Sequence, residues 1–170
     1  MEGTGWRRLG NSRKDFLYTM SDSNKQYNFY GNENAAKVVA VNKEYGVTTA
    51  IDLYDKLLHC WSIETCAPRL RSGWSEDNPT NGQCSITAFL AQDIFGGDVY
   101  GVKTGSGIHC YNVVDGIIFD LASEQFGDKV KELDYTPVLL QDRNAPNHFG
   151  NGEKEGRYII LKENLLRGQY

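Results

Sequence analysis

The fold of this chain is decided by CSITAFLAQDIFGG (residues 84–97) and SGIHCYNVVDGIIFDLAS (residues 106–123). In the first stretch, apolar residues recur at helical spacing and two glycines supply a residue that ends a helix. In the second, β-branched and aromatic residues flank a central turn signal, which is typical of two antiparallel strands. The sequence therefore predicts a helix that begins at Cys84 and is followed by strands.

The turn signal in the second stretch is Asp115-Gly116, a dipeptide that favours a two-residue β-hairpin turn. Such a turn sets the register of every pair out to Tyr111 opposite Asp120. Because side chains alternate across a strand, His109 and Asp120 then share one face of the sheet. They become diagonal neighbours about 7 to 8 Å apart, a distance that long side chains can close.

Outward from these stretches, the pattern predicts an α+β order of elements. TTAIDLYDKLLHCW (residues 48–61) carries an apolar stripe of Ile51, Tyr54, Leu57, Leu58 and Trp61, which indicates a core-facing helix. Residues 62–83 are rich in Pro, Gly, Asn and Ser and read as a long loop. DVYGVKTG (98–105) predicts a strand before the hairpin, and EGRYIILK (155–162) predicts a final strand.

The first 46 residues form a predicted ββα extension, separate from a core over residues 47–170. DFLYTMSDSNKQYNFY (residues 15–30) indicates a β-hairpin around a polar turn. Asn32 or Asn34 is predicted to cap a helix that contains Ala35, Val38 and Val39 and ends near Gly46. Two roles remain open for this extension: recognition of a partner, or enlargement of the core.

Composition and charge exclude several classes of protein. The formal net charge is −4, which argues against nucleic-acid binding. The basic cluster at residues 7–14 is interpreted as a solvated face or, alternatively, as a contact for an acidic partner. The sequence shows no signal peptide and no membrane span, so we expect a cytoplasmic protein. Cysteines at positions 60, 66, 84 and 110 lack metal-site spacing, so we predict no metal and no cofactor.

Cys84 is the candidate nucleophile because it lies at the start of a predicted helix. A cysteine reacts as the thiolate, and the positive end of a helix dipole favours that anion by about 0.3 to 1 kcal/mol. Cys66 is the competing nucleophile, but it lies in a Pro-containing loop, while Cys110 is predicted to point away from His109. A purely structural interpretation is also open, because free cysteines and sheet histidines often belong to a core.

His109 is the candidate base, and Asp120 is the carboxylate expected to orient it. We expect Asp120 to accept the Nδ1 proton of His109, which would leave Nε2 for the thiol. The other histidines, His59 in a helix and His148 in a polar loop, are interpreted as surface or packing residues.

An oxyanion would be stabilised in part by the backbone N–H of Cys84. The second donor is predicted to be Gln83 or a polar side chain from residues 78–81. Trp74, in the long loop, is either an anchor for that loop or a wall of a substrate groove.

The predicted triad is similar to that of papain-like enzymes, including the NlpC and transglutaminase-like groups: cysteine on a helix, histidine on a strand, carboxylate on the next strand. This likeness implies a papain-like core of helices packed on an antiparallel sheet.

Several segments also resemble the YunG-like family of small bacterial proteins: WSIETCAPR, NPTNGQCSITAF, QDIFGG, GIHCYNVVDG and FDLASEQF. The resemblance covers residues 51–170 and implies signature positions for Gln83, Cys84, His109 and Asp120. Cys110 and Ala122 depart from the aromatic residue and the threonine that are usual in this family.

Two classes of function follow from these residues. In the first, the chain is a cysteine-dependent hydrolase or acyl transferase that acts on amide or thioester bonds, with a protein or peptide as the expected substrate. Peptidase, deamidase and transferase activities share the same nucleophile and base, so all three stay open. In the second, the chain is a binding or inhibitory module that keeps the papain-like frame without turnover. Redox sensing through a reactive thiolate is a third interpretation.

Overall fold

The computed structural model of the chain describes residues 25–168. Within them, the chain forms an α+β fold with a three-stranded antiparallel sheet. The helices are α1 (Asn32–Ala35), α2 (Ala50–Cys60), α3 (Cys84–Phe95) and α4 (Gly152–Arg167). The strands are β1 (Asp98–Thr104), β2 (Gly107–Val114) and β3 (Ile117–Phe119). Short 3-10 segments span Lys43–Tyr45, Pro68–Gly73 and Ser123–Glu132.

The hairpin of β2 and β3 has the predicted turn and register. Asp115 and Gly116 both adopt positive φ angles, 49° and 79°, as a tight two-residue hairpin turn requires. The observed pairs are Val114 with Ile117, Val113 with Ile118, and Asn112 with Phe119. The ladder stops there, so the predicted pair of Tyr111 with Asp120 is wrong. Asp120 instead forms an isolated bridge with Tyr30, whose carbonyl accepts its backbone N–H at 2.9 Å.

The two faces of the sheet have different neighbours. On one face, α3 packs against β2, where the buried Asn112 side chain donates to the carbonyl of Ala88 at 2.8 Å. This face belongs to the main core, which includes Phe89, Leu90, Ile94 and Phe119. On the other face lies a smaller cluster built from Val102, Tyr111 and Tyr135. Because side chains alternate along β2, His109 lies on the same face as this smaller cluster.

Helix α2 lies where the sequence predicted a helix, but its buried face is rotated about the helix axis relative to the predicted apolar stripe. The fully buried residues include Leu53, Leu57 and Cys60, whereas Ile51 and Leu58 of the predicted stripe are only partly buried. Trp61 follows the helix and donates its indole N–H to the hydroxyl of Thr87 at 3.0 Å. That contact ties α2 to α3.

The predicted final strand over residues 155–162 is wrong, because this segment is part of α4. Asn151 caps the helix by accepting the N–H of Glu153 at 3.1 Å. Tyr158, Leu161 and Leu165 are buried at a spacing of three to four residues, which is the period of a helix face. The aliphatic run in this segment is typical of a strand, but the N-terminal cap at Asn151 and the helical spacing of the buried residues favour a helix.

The predicted N-terminal extension is described only in part. Residues 15–24 of the predicted hairpin lie outside the described residues. The predicted single helix ending near Gly46 is wrong: α1 has four residues, and a separate 3-10 turn spans Lys43–Tyr45 before Gly46. Residues 25–46 contribute Phe29, Ala35 and Val38 to the main core, so this part of the extension enlarges the core.

Within residues 25–168, no helix is both long enough and apolar enough to cross a membrane. The same residues contain no group of three or more His, Cys, Asp or Glu side chains that could hold a metal ion.

Candidate active site

Cys84 is the first residue of α3, as the sequence predicted. The residue before it, Gln83, is fully buried and donates its side-chain amide to the carbonyl of Ser62 at 3.1 Å, which fixes the start of the helix. The Cys84 thiol is half-buried and lies 3.8 Å from the hydroxyl of Ser85. Its place at the helix N-terminus, where backbone N–H groups lack intrahelical partners, favours an anionic sulfur.

His109 and Asp120 are in contact, although one detail differs from the prediction. Nε2 of His109 lies 2.5 Å from Oδ2 of Asp120, and both side chains are at most 2% exposed. The predicted bond from Nδ1 to Asp120 is therefore wrong, because the ring is turned the other way. Phe126 packs edge-on against the imidazole at 4.7 Å, and Nε2 of Gln125 lies 3.5 Å from Nδ1. This orientation leaves Nδ1 as the nitrogen that can serve Cys84.

Asp120 has two further hydrogen-bond donors. Its Oδ1 accepts the backbone N–H of Ala122 at 3.1 Å, and its Oδ2 accepts the phenol of Tyr135 at 2.7 Å. Burial, followed by the charge of Asp120, raises the pKa of Tyr135, so this phenol stays a donor at neutral pH. Tyr135 is stacked on Tyr30 with ring centroids 3.8 Å apart. The carboxylate is therefore held from three directions.

Cys84 and His109 each stabilise the charged form of the other. Burial raises the pKa of the Cys84 thiol, but the positive charge of His109, its hydrogen bond and the backbone N–H of Cys110 outweigh burial and lower the pKa to about 7. Burial lowers the pKa of His109, but the charges of Asp120 and then Cys84 outweigh it and raise the pKa to about 10. Between these two values the pair favours a thiolate and an imidazolium.

The other three cysteines have the opposite electrostatics. All four are free, and Cys60, Cys66 and Cys110 are buried. Burial is the main cause that raises the pKa of each of these thiols, to about 11 for Cys60. Cys110 lies in the main core, on the face of β2 opposite His109. Among the described cysteines, Cys84 is thus the one whose pKa is lowered.

Gln83 and Trp74 do not line the cavity at Cys84. The Gln83 amide donates to Ser62, and its Oε1 is buried without a hydrogen-bond partner among the described residues. Trp74 donates its indole N–H to the carbonyl of Pro79 at 3.1 Å, and this hydrogen bond joins two residues of the same loop. The structure thus brings Cys84, His109 and Asp120 together and places these two side chains outside the group.

A cavity of about 500 Å³ opens at Cys84 and is also lined by His109. A second wall comes from the segment before α4 and from the first turns of that helix, including His148, Lys154 and Arg157. The sequence analysis missed this wall, because residues 155–162 were predicted to form a strand and not part of a helix that packs beside Cys84.

His148 is the clearest residue that the sequence analysis missed. It is buried, and its Nε2 lies 2.9 Å from Oε1 of Gln141, while Nδ1 lies 3.3 Å from Nζ of Lys154. Burial and the charge of Lys154 lower the pKa of His148 to about 4. The imidazole is therefore neutral, donating to Gln141 and accepting from Lys154.

The comparisons with known proteins agree on one family. A family model described as YunG protein matches residues 49–169. The chain is also 42% identical over 55 residues to the uncharacterized protein YunG of Bacillus subtilis (strain 168). That match spans 32% of this chain and 48% of the relative, so the chain covers about half of the relative's length. No solved structure matches. Since the family model covers the helix that begins at Cys84, the whole sheet and α4, this chain belongs to the YunG family.

Proposed function

We propose that the chain is a cysteine-dependent hydrolase or acyl transferase that acts on amide or thioester bonds. The observation that carries the proposal is that Cys84 and His109 line one cavity of about 500 Å³, where the imidazole lowers the pKa of the thiol while the buried Asp120 holds Nε2 of the ring at 2.5 Å. The same arrangement of helix, strand and carboxylate supports a papain-like or transglutaminase-like assignment of the fold.

In the first half of the reaction, the Cys84 thiolate attacks the substrate carbonyl carbon and forms a tetrahedral oxyanion. The backbone N–H of Cys84, at the first position of α3, supports that oxyanion. Nδ1–H of His109 then gives its proton to the leaving amine or thiol as the carbon–leaving-group bond breaks. The products of this half are an acyl-Cys84 thioester and a neutral imidazole.

In the second half, Nδ1 of His109 accepts a proton from an incoming water, amine or thiol. That nucleophile attacks the thioester and releases Cys84 as the thiolate. Asp120 accepts the Nε2–H hydrogen bond and compensates the positive charge of the imidazolium. Hydrolysis and transfer differ only in the molecule that attacks the acyl-enzyme.

Acylation by p-nitrophenyl acetate tests this proposal. We expect a burst of nitrophenol, an acetyl group on Cys84 in the peptide mass map, and slower continued turnover. Cys84→Ala should abolish both phases, and His109→Gln should slow them by about 10²- to 10⁴-fold. Cys66→Ala is the matched control, because Cys66 is a buried thiol whose pKa is raised by burial.

Two results would count against the proposal. The first is acetylation spread equally over Cys66 and Cys84, which would show that Cys84 has no special reactivity. The second is turnover that survives in Cys84→Ala.

A further inference from the structure

The cavity contains an ammonium group that pairs with no carboxylate of the part of the chain that the structure describes. Lys154 lies on the first turn of α4, is half-buried and lines the cavity together with Cys84. Its Nζ donates to the carbonyl of Asn147 at 2.5 Å and lies 3.3 Å from Nδ1 of His148. Among residues 25–168, no carboxylate forms an ion pair with this Nζ. Both of these hydrogen-bond partners are neutral acceptors, so neither of them cancels the charge of the ammonium group.

The acidic residue that lines the same cavity is already paired with another cation. Glu153 lines the same cavity, but its Oε1 lies 2.5 Å from Nε of Arg157. Arg157 is buried, and its Nη1 donates to the carbonyl of Thr65 at 3.1 Å. This pair is anchored in the protein, so Glu153 is held by Arg157 and not by Lys154.

The Lys154 side chain is also held in place. The neutral His148 accepts from Nζ through Nδ1, and Gln141 fixes the other ring nitrogen at 2.9 Å. Burial is the largest influence on the pKa of Lys154 and lowers it below its usual range, although the negative charge of Cys84 acts in the opposite direction. An ammonium with its position fixed and its solvent partly removed binds an anion better than a freely solvated surface lysine does.

We propose that Lys154 binds a carboxylate of the substrate, so that the site takes small acyl compounds with a negative charge near the scissile amide or thioester. This inference deepens the proposed function and rests on it. The cavity volume of about 500 Å³ is in the range of small-molecule sites. The charge-assisted hydrogen bond to Lys154 orients the scissile carbonyl toward Cys84.

Alkylation of Cys84 by iodoacetate and by iodoacetamide tests the inference, because the reagents are similar in size and differ in charge. The measured quantity is the ratio of the two rate constants at Cys84, divided by the same ratio for N-acetylcysteine in the same buffer. We expect this normalised ratio to exceed one by about tenfold, the effect of one hydrogen bond to a charged group.

Lys154→Gln should bring the normalised ratio close to one, because the iodoacetate rate should fall more than the iodoacetamide rate does. Lys154→Arg should keep most of the preference for iodoacetate. Lys162→Gln is the matched control, since it removes the same charge from the same helix, and Lys162 packs over Tyr45 outside the cavity. We expect this control to behave like the unaltered chain.

Three outcomes would overturn the inference: a normalised ratio near one in the unaltered chain, an equal loss in the Lys162→Gln control, or equal slowing of both reagents in Lys154→Gln. The last result would mean that Lys154 acts on the thiolate or on the fold. Failure of the proposed function has a different signature, because Cys84 would then react with iodoacetamide no faster than Cys66.

Discussion

Replacing Asp120 with asparagine removes one charge from the network and keeps the shape of the side chain. In the structure, Oδ2 of Asp120 lies 2.5 Å from Nε2 of His109, and both groups are almost fully buried. The amide can still contact the phenol of Tyr135 and the N–H of Ala122. The substitution therefore tests the charge of Asp120 rather than its volume.

The size of the effect follows from the pKa of His109, which stands at about 10. The ordinary value is about 6.5, so the surroundings favour the imidazolium by on the order of 5 kcal/mol. The charge of Asp120 is the largest cause acting in that direction. Without it, burial dominates and the imidazole becomes neutral at pH 7. Cys84 then loses the positive charge that lowers its pKa to about 7, and burial raises that pKa above its ordinary value of about 8.5.

The assay is the rate of Cys84 alkylation by iodoacetamide as a function of pH. We expect a midpoint near pH 7 for the unaltered chain and a midpoint higher by about 1.5 pH units or more for Asp120→Asn. The rate at pH 7 should fall by less than the thiolate fraction does, because a thiolate of higher pKa is the stronger nucleophile. The midpoint is therefore the quantity that discriminates.

Asp128→Asn is the matched control, because it makes the same change in charge at an exposed site outside the network. Its midpoint should equal that of the unaltered chain. The reasoning is refuted if the Asp120→Asn midpoint stays within about half a pH unit of that value, since the thiol would then owe its low pKa to something other than the charged pair.

Three further substitutions, with Gly46→Ala as the control for one of them, test the frame of the site by equilibrium unfolding in urea. Tyr135→Phe removes the 2.7 Å hydrogen bond to Asp120 and should lower the free energy of unfolding by about 1 to 3 kcal/mol; no change would mean that the phenol is not needed to satisfy the carboxylate. Gly31→Ala places a Cβ against a carbonyl oxygen of β3 at a φ of 81° and should cost about 3 kcal/mol or more. Gly46→Ala, at a φ of 63° with open space, should cost only about 1 kcal/mol, so equal losses would contradict the proposed clash. Asn112→Ala removes the buried 2.8 Å bond between β2 and α3 and should also cost about 1 to 3 kcal/mol, and a loss below about 0.5 kcal/mol would argue against it.

The contact between His109 and Asp120 could be predicted from the sequence because it depends on local rules. A two-residue turn at Asp115-Gly116 fixes the register, and the register places residues 109 and 120 on one face. The start of α3 at Cys84 was also readable, since the apolar spacing of its residues and the glycines after Phe95 bracket the helix.

The orientation of the His109 ring could not be predicted, because it depends on groups outside the hairpin. Phe126 and Gln125 come from the 3-10 segment after β3, and no pairing rule places their side chains against the imidazole. Tyr135 reaches Asp120 across fifteen positions that include the 3-10 segment Ser123–Glu132. Such contacts are set by tertiary packing, which local patterns do not encode.

The wall of the cavity that carries Lys154 was missed for a different reason. Tyr158, Ile159 and Ile160 have high strand propensity, and a short aliphatic run does not distinguish a strand from a helix. In the structure, Tyr158 is buried while Ile159 and Ile160 are partly exposed, as expected for one turn of an amphipathic helix. Because this segment was interpreted as a strand, no helix was predicted there, and the sequence did not indicate that Lys154 shares a cavity with Cys84.

The pair of His109 and Asp120 is a costly way to stabilise a fold. Desolvation of two opposite charges costs several kcal/mol per ion, and their attraction often fails to regain it, so a packed apolar pair would hold the two strands as well or better. A role in stability accounts for the donors that surround Asp120, because a buried carboxylate must be satisfied. It does not account for a ring whose Nε2 faces Asp120 and whose Nδ1 faces away from that carboxylate, nor for the one described cysteine whose pKa this imidazole lowers. The proposed proton transfer between Cys84 and His109 would use both the orientation of the ring and the lowered pKa of the thiol, and on this ground we favour the catalytic proposal over a binding module.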